Sequence, residues 1–301
     1  MPRQQEAVHT QGTPGTAHTR DGRELFYMEL PGPATETGPA PRPTVVFEAG
    51  MAASRSFWAL IQPQVAEWAR AVAYDRSGLG RSPADIEPRT LERMADDLND
   101  LLDHLEPGPF ILVAHSGGGP IVRAATAAKP DRIAGLVLAD ATDEGCEPLF
   151  DPKFRRMERI AHRASVLLAR LGLLKLLYRG QLAALPPDAK ADMRAEGFTN
   201  TVMRTRGAEL HGLVAATNRL RHDPLDLPRD IPVTTISGAL ADTGMPEKFR
   251  AAVNASHRDR AERSAHGRHV LARESGHALI LTEPDLVAAE IRRLLDHRPG
   301  G

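Results

Sequence analysis

Residues 111–120 read ILVAHSGGGP: four apolar residues run into His115 and Ser116, and the chain then passes into three glycines and a proline. A short apolar run bounded by glycine reads as a buried strand. Its end is either a plain glycine turn into a helix or a strained turn that lifts the Ser116 hydroxyl out of the sheet as a nucleophile. A turn of the second kind crowds its neighbours, so the residues two before and two after the serine must be small. Here they are Ala114 and Gly118, which makes the pattern G-x-S-x-G with alanine in place of the first glycine. Pro120 suits a first helical turn, where its missing N–H costs little. The N-terminus of that helix favours negative charge developing near Ser116.

On either side, apolar runs alternate with helical patterns. PTVVFEAG, AVAYDRSGLGRS, AGLVLAD, IPVTTISG and RHVLARES each contain a strand, and most lead into a helical segment. The runs are apolar without strict alternation, which predicts a largely parallel sheet covered on both faces. TLERMADDLNDLLDHL is the clearest helix, with Leu91, Met94, Leu98, Leu101, Leu102 and Leu105 on one face. RSFWALIQPQVAEWA reads as a helix bent or begun at Pro63. Thr282, with Asp285 three residues on, is placed to cap a last helix over 284–295. Asp21-Gly22 turns an N-terminal strand pair, and PGPATETGPAPRP reads as a loop. From Cys146 to Arg229 the rhythm breaks into Leu-, Ala- and Arg-rich helical sequence without a convincing strand. Residues 1–145 and 230–301 therefore form an α/β core, with 146–229 inserted as a helical lid.

With 301 residues, 42% hydrophobic and 26% charged, the chain is long enough and apolar enough for a large core. A formal net charge of −1 gives no overall electrostatic case for nucleic acid or an anionic membrane. The lone Cys146 allows no internal disulfide and offers no zinc motif, so the cytoplasm is the default location. The N-terminus lacks the apolar core of a signal peptide. SVLLARLGLLKLLY, residues 165–178, carries Arg170 and Lys175 and is too short to span a bilayer, so stable membrane insertion is not expected. It reads as an amphipathic helix.

A serine hydroxyl needs a base, and His277 in ESGHALI, just after the last strand, is the best candidate. His257, His266 and His269 lack a metal spacing and read as a solvated face. His115 reads as a packing residue. The base needs a carboxylate to fix its tautomer. Asp242, after IPVTTISG, is preferred; Asp140, at the end of GLVLAD, is the alternative. The oxyanion donors would be the backbone N–H groups of Gly117 and Met51, with Glu48 turned away. YDRSGLGRS has no lysine and is not a phosphate loop; Asp75 and Arg76 brace the loops. Neither a metal nor an organic cofactor is implied.

The order VVFEAG, YDRSGLGRS, AHSGGG, then SGH and TEPDLV resembles the α/β-hydrolase superfamily from about Arg20 to Leu295. The resemblance implies an α/β-hydrolase fold: an eight-stranded, mostly parallel sheet with the second strand antiparallel, flanked by helices and carrying a helical cap after the sixth strand. Three departures stand out. Alanine replaces the first elbow glycine, Glu-Ala-Gly stands where many members have His-Gly, and Asp242 lies four residues past Gly238 where three is common. The last offset keeps Asp140 in play, since some relatives place the acid after the sixth strand.

A serine at position 116 disfavours the haloalkane dehalogenase and epoxide hydrolase branches, which use aspartate there. The leading reading is hydrolysis of an ester, thioester or lactone through an acyl-enzyme. Phe57, Trp58, Leu174 and Tyr178, with other lid leucines, suggest an apolar acyl pocket, although most of those leucines would serve packing. A C–C hydrolase, a proline-releasing aminopeptidase and a cofactor-free peroxidase-like enzyme stay open. So do a non-catalytic small-ligand receptor and a lipid-surface protein using the Leu-rich helix. The sequence leaves the oligomeric state open.

Overall fold

The computed structural model describes residues 8–33, 42–242 and 244–297. Most of the loop read at 31–43, and the first seven residues, lie outside this set. β1 (Thr13–His18) and β2 (Glu24–Leu30) form an antiparallel hairpin. It turns through Gly22, whose φ of 82° favours glycine. The chain then alternates: β3 (Thr44–Glu48), α1 (Gln62–Ala66), β4 (Ala71–Tyr74), α2 (Leu91–Leu105), β5 (Phe110–His115), α3 (Gly118–Ala128) and β6 (Ile133–Ala139). The eight strands make one sheet in the order β1-β2-β4-β3-β5-β6-β7-β8, where β7 is Val233–Gly238 and β8 is Arg268–Ala272. β2 runs antiparallel to β4, and every pairing from β4 to β8 is parallel. The apolar runs thus form the expected mostly parallel sheet.

Both faces are covered, which is why the central strands are apolar at consecutive positions. On β5, Ile111 and Val113 join a cluster with Ile61, Val65, Val287 and Ile291, while Phe110, Leu112 and Ala114 join one with Leu98, Leu102, Ile121 and Val122. The first cluster is closed by α1 and α11 (Pro284–Asp296), the second by α2 and α3. α9 (Glu247–Glu262) packs on β7 and β8, and the short α10 (Leu279–Thr282) precedes α11. Thr90 caps α2 by accepting from the Arg93 N–H at 3.2 Å.

Between β6 and β7 lie a 3-10 turn at Glu147–Phe150 and five α-helices: α4 (Pro152–Arg170), α5 (Leu174–Leu177), α6 (Arg179–Ala184), α7 (Pro187–Glu196) and α8 (Asn200–Leu220). Three local expectations need correction. The helix read over residues 55–69 is a 3-10 turn at Arg55–Trp58 and then α1, with Pro63 in the first turn of α1. The helix read over 165–178 breaks after Leu171, because Gly172 takes φ 68° and ends α4. Thr282 does not cap α11; Glu283 occupies that position without a side-chain bond, and Thr282 instead pairs its hydroxyl with that of Ser275 at 2.6 Å.

Candidate active site

The carboxyl ends of β5 and β6 carry the central residues, where a parallel sheet presents its ligand-facing loops. Ser116 comes directly after β5 with φ 52°, and Asp140 directly after β6 with φ 43°. Ala52, in the loop after β3, has φ 58°. These are the only non-glycine residues with positive φ among the described ones, and all three lie in loops at the carboxyl ends of β3, β5 and β6. Left-handed backbone at such residues costs of order 1–3 kcal/mol each, so the surrounding structure must hold it in place. Close approach explains the small neighbours: a Cβ on Gly118 would sit 2.8 Å from the Ala49 carbonyl oxygen, and one on Gly119 2.6 Å from the Ala141 Cβ.

His277, in the loop between β8 and α10, joins these ends. Its Nε2 lies 3.0 Å from Ser116 Oγ and its Nδ1 lies 2.7 Å from Asp140 Oδ2. An ionised carboxylate only accepts, so Nδ1 carries the proton and Nε2 is left as the acceptor facing the serine hydroxyl. Burial alone would raise the Asp140 carboxyl. The hydrogen bond and charge of His277, with His257 and Arg250, hold it well below the usual carboxylate range instead. Asp140 Oδ1 accepts from Arg250 at 2.6 Å and from the Gly238 N–H at 3.2 Å.

The preference for Asp242 over Asp140 as the partner of the imidazole is corrected by this geometry. Asp242 Oδ2 accepts from the backbone N–H of His277 at 2.7 Å and does not meet the ring nitrogen, which Asp140 occupies. Both acids lie past the ends of neighbouring strands, but only Asp140 aims its carboxylate down the Nδ1 axis. Asp242 anchors the histidine loop through its main chain.

Met51 and Gly117 face one another: a Cβ on Gly117 would lie 3.5 Å from the Met51 nitrogen. Among the described residues, neither of these two N–H groups donates to another protein group. Glu48 turns under the loop to the Tyr74 hydroxyl and the Arg76 guanidinium. Arg76 in turn donates to the carbonyls of Ala49 at 2.6 Å and Gly50 at 2.8 Å, and clasps both carboxylate oxygens of Glu209 on α8 at 2.8 and 3.0 Å. It fixes the loop that carries Met51 to the helical segment. Asp75 braces similarly, accepting the Arg55 N–H at 2.8 Å and the Arg81 N–H at 3.0 Å.

Two histidine expectations change. His257 is buried and belongs to no solvated face: its Nε2 donates to the Ala141 carbonyl at 2.7 Å, and its Nδ1 accepts from Ser237 Oγ at 2.7 Å. His269 completes the chain on Ser237 at 2.9 Å. His257 thereby grips the residue after Asp140. Its charged neighbours in sequence concealed this, although Phe249 and Val253 sit at eight and four residues before it on the same buried face. His115 packs as expected, stacking on the His277 ring with centroids 4.8 Å apart and donating from Nε2 to the His277 carbonyl at 2.9 Å. Burial first, and the neighbouring imidazole second, push His115 down to about 4.

A cavity of about 640 Å³ opens at Ser116 and His277. Its walls bring Phe249 and Val253 of α9 together with Phe154, Glu158, Gln181 and Arg206 of the segment between β6 and β7. A smaller cavity of about 60 Å³ shares Met51 and Arg206 with it and is lined by Phe57, Leu174 and Tyr178. Trp58, the fourth residue expected there, lies in neither lining. It is fully buried in the core, its ring against Phe47 with centroids 4.9 Å apart. No cluster that could hold a metal ion occurs among the described residues.

The profile described as "alpha/beta hydrolase fold" matches residues 43–284, about four-fifths of the chain. The chain belongs to the α/β hydrolase fold family. It is 26% identical over 307 residues to an AB hydrolase superfamily protein of Gibberella zeae, covering 90% of this chain and 91% of that one. It is 34% identical over 143 residues to the carbamate-hydrolase candidate RutD of Caulobacter vibrioides, covering 47% of this chain and 48% of that protein. Among solved structures, a thermophilic esterase from Thermogutta terrifontis superposes with a TM-score of 0.66 at 20% identity over 94% of this chain and 98% of that one. This last likeness is one of fold. Family membership and these hydrolase-named relatives support a hydrolase.

Proposed function

We propose that the chain is a serine hydrolase acting on a carboxylic ester, thioester or lactone through an acyl-enzyme, with Ser116 as nucleophile, His277 as base and Asp140 as the acid that orients it. The observation that carries the reading is the continuous hydrogen-bonded path Ser116 Oγ, His277 Nε2, His277 Nδ1, Asp140 Oδ2, with links of 3.0 and 2.7 Å. His277 takes the Ser116 proton as Oγ attacks the carbonyl carbon. The oxyanion forms between the N–H groups of Met51 and Gly117. The imidazolium then protonates the leaving oxygen or sulfur, the C–O or C–S bond breaks, and His277 activates water to release the acid. Asp140 stays ionised throughout and stabilises the imidazolium.

In this reading residues 146–229 are a cap over the core of 1–145 and 230–301, and the large cavity between them holds the substrate. Its walls are mostly apolar, which suits an apolar acyl group; Phe57, Leu174 and Tyr178 extend that surface into the smaller cavity. The test is labelling with a fluorophosphonate probe and peptide mapping, then turnover of esters of graded acyl length. The adduct is expected on Ser116, and Ser116→Ala is expected to lose label and at least about 10⁴-fold in kcat. Full esterase activity in Ser116→Ala would sink the mechanism. Tight ester binding without turnover by the unaltered chain would favour a receptor.

A further inference from the structure

The segment between β6 and β7 has an outer face that the proposed chemistry does not use. Among the described residues eleven large hydrophobic side chains are exposed, and seven of them fall within residues 157–177: Met157, Ile160, Leu167, Leu171, Leu173, Leu176 and Leu177, from 44% to 67% exposed. Along α4 and its C-cap, Met157, Ile160, Leu167 and Leu171 join the exposed Ala164 at spacings of 3, 4, 3 and 4, one stripe on one helix face. The inner face of the helix is spoken for, since Val166, Leu168 and Ala169 pack against Leu79, Val202 and Met203.

Charge borders the stripe along one side. Arg156, Arg159, Arg163 and Arg170 each precede a stripe residue by one position, about 100° round the helix. Lys153 stands in the first turn of the same helix, Lys175 and Arg179 follow in the next two short helices, and all seven cations are exposed. No exposed acid lies between residues 153 and 179, because the one acid there, Glu158, is half-buried and paired with Arg155 at 2.7 Å. Among the described residues none of the seven cations pairs with a carboxylate. The whole chain carries a net charge of −1, so this concentration is local.

An apolar stripe flanked by unneutralised arginines is the pattern of a helix that lies in an interface with its apolar side among acyl chains and its cations among anionic headgroups. We propose that the outer face of α4 and α5 docks this protein peripherally on an anionic lipid surface. Met157, Ile160, Leu167, Leu171, Leu176 and Leu177 enter the headgroup boundary, and the arginine row provides the charge selectivity. No described helix is long and apolar enough to cross a membrane, so the contact is with one leaflet. The proposal stands apart from the chemistry at Ser116 and fails or holds independently of it.

The experiment is co-sedimentation of the full chain with vesicles of phosphatidylcholine alone and of phosphatidylcholine mixed with phosphatidylglycerol. Partition to the anionic vesicles is expected to exceed that to neutral ones by about tenfold or more at low salt. It is expected to collapse in salt on the order of 1 M, where screening acts within about 3 Å. The variant Arg156→Gln/Arg159→Gln/Arg163→Gln should remove the preference for anionic lipid. The variant Ile160→Ser/Leu167→Ser/Leu171→Ser should weaken binding to both vesicles, and ester turnover in solution should be unchanged in each. These side chains are exposed, so the fold is expected to survive, and circular dichroism checks it. Absence of binding to the anionic vesicles at low salt would overturn the proposal. So would binding that neither variant alters, or a dimer in sedimentation velocity that the serine variant dissolves, since a second copy would then own the stripe.

Discussion

The floor and the roof of the cavity are built on opposite principles. The floor is the carboxyl edge of β3, β5 and β6. There Ser116, Asp140 and Ala52 hold left-handed backbone, and each buried polar group of the path has a named partner. The roof, α4 to α6, buries only Ala169, Leu174 and Leu182 and exposes most of its leucines. Proton transfer between Ser116 and His277 needs atoms held within hydrogen-bond reach, and only a strongly over-determined loop can keep strained backbone in place. Enclosing an apolar substrate makes no such demand. Changes to the floor should therefore cost far more than changes to the roof.

Under the proposed mechanism the largest effect after loss of Ser116 falls on Asp140. Asp140→Asn is expected to lower kcat by about 10⁴-fold, since an amide at that position favours the wrong imidazole tautomer. Steady-state turnover of a simple ester reads it; near-normal activity would break the assignment of Asp140 and return Asp242 to the role.

The clasp between the floor and α8 comes next. Arg76 is one buried cation between two buried carboxylates, Glu48 and Glu209. Burial raises Glu48 and the Arg76 charge draws it back, so the cation is what makes this cluster tolerable. Arg76→Gln leaves two carboxylates facing each other and frees the carbonyls of Ala49 and Gly50. It is expected to destabilise the fold by about 3–5 kcal/mol in denaturant unfolding. Glu209→Gln should cost much less, because Glu48 still neutralises the guanidinium. Equal effects would show that the clasp works through packing and not through charge.

His115 sets an acid limit on the floor. It is neutral when folded, with its titration pushed down from 6.5 to about 4, so the unfolded chain takes up the proton first. The stability this group contributes is whole above pH 6.5 and is lost as pH falls toward 4, by about 3 kcal/mol in all. Asp140, also held low, adds its own loss only below its ordinary value of 3.8. His115→Gln is expected to flatten stability between pH 6.5 and 4 and to leave the steeper fall beneath it.

What the sequence reveals divides along the same line. Strands buried on both faces must be apolar at consecutive positions, so β3 to β7 are legible directly, and the crowded elbow demands small residues at 114 and 118. The choice between Asp140 and Asp242 is not legible that way. Both acids lie past strands that end side by side, and no spacing rule tells which carboxylate points at a ring nitrogen and which at a main-chain N–H. Trp58 reads as a pocket residue because large aromatics line apolar sites, yet the same property fits it to the core against Phe47. The helix expected at 165–178 fails on one residue, Gly172, whose conformation outweighs the leucine periodicity on either side.

The smallest effect separates the two acids most sharply. Asp242 holds the His277 loop by a single charge-assisted bond of 2.7 Å to the main chain, in an exposed position where water can replace a lost acceptor. Asp242→Asn keeps an acceptor oxygen there and leaves Nδ1 paired with Asp140. The expected loss in kcat is about tenfold or less, the scale of one weakened hydrogen bond of about 1 kcal/mol. The pH profile of kcat/KM should keep its shape, because the base and its orienting carboxylate are untouched. A loss approaching that of Asp140→Asn, or a displaced profile, would mean that the loop and the imidazole move together and that both carboxylates govern the same proton.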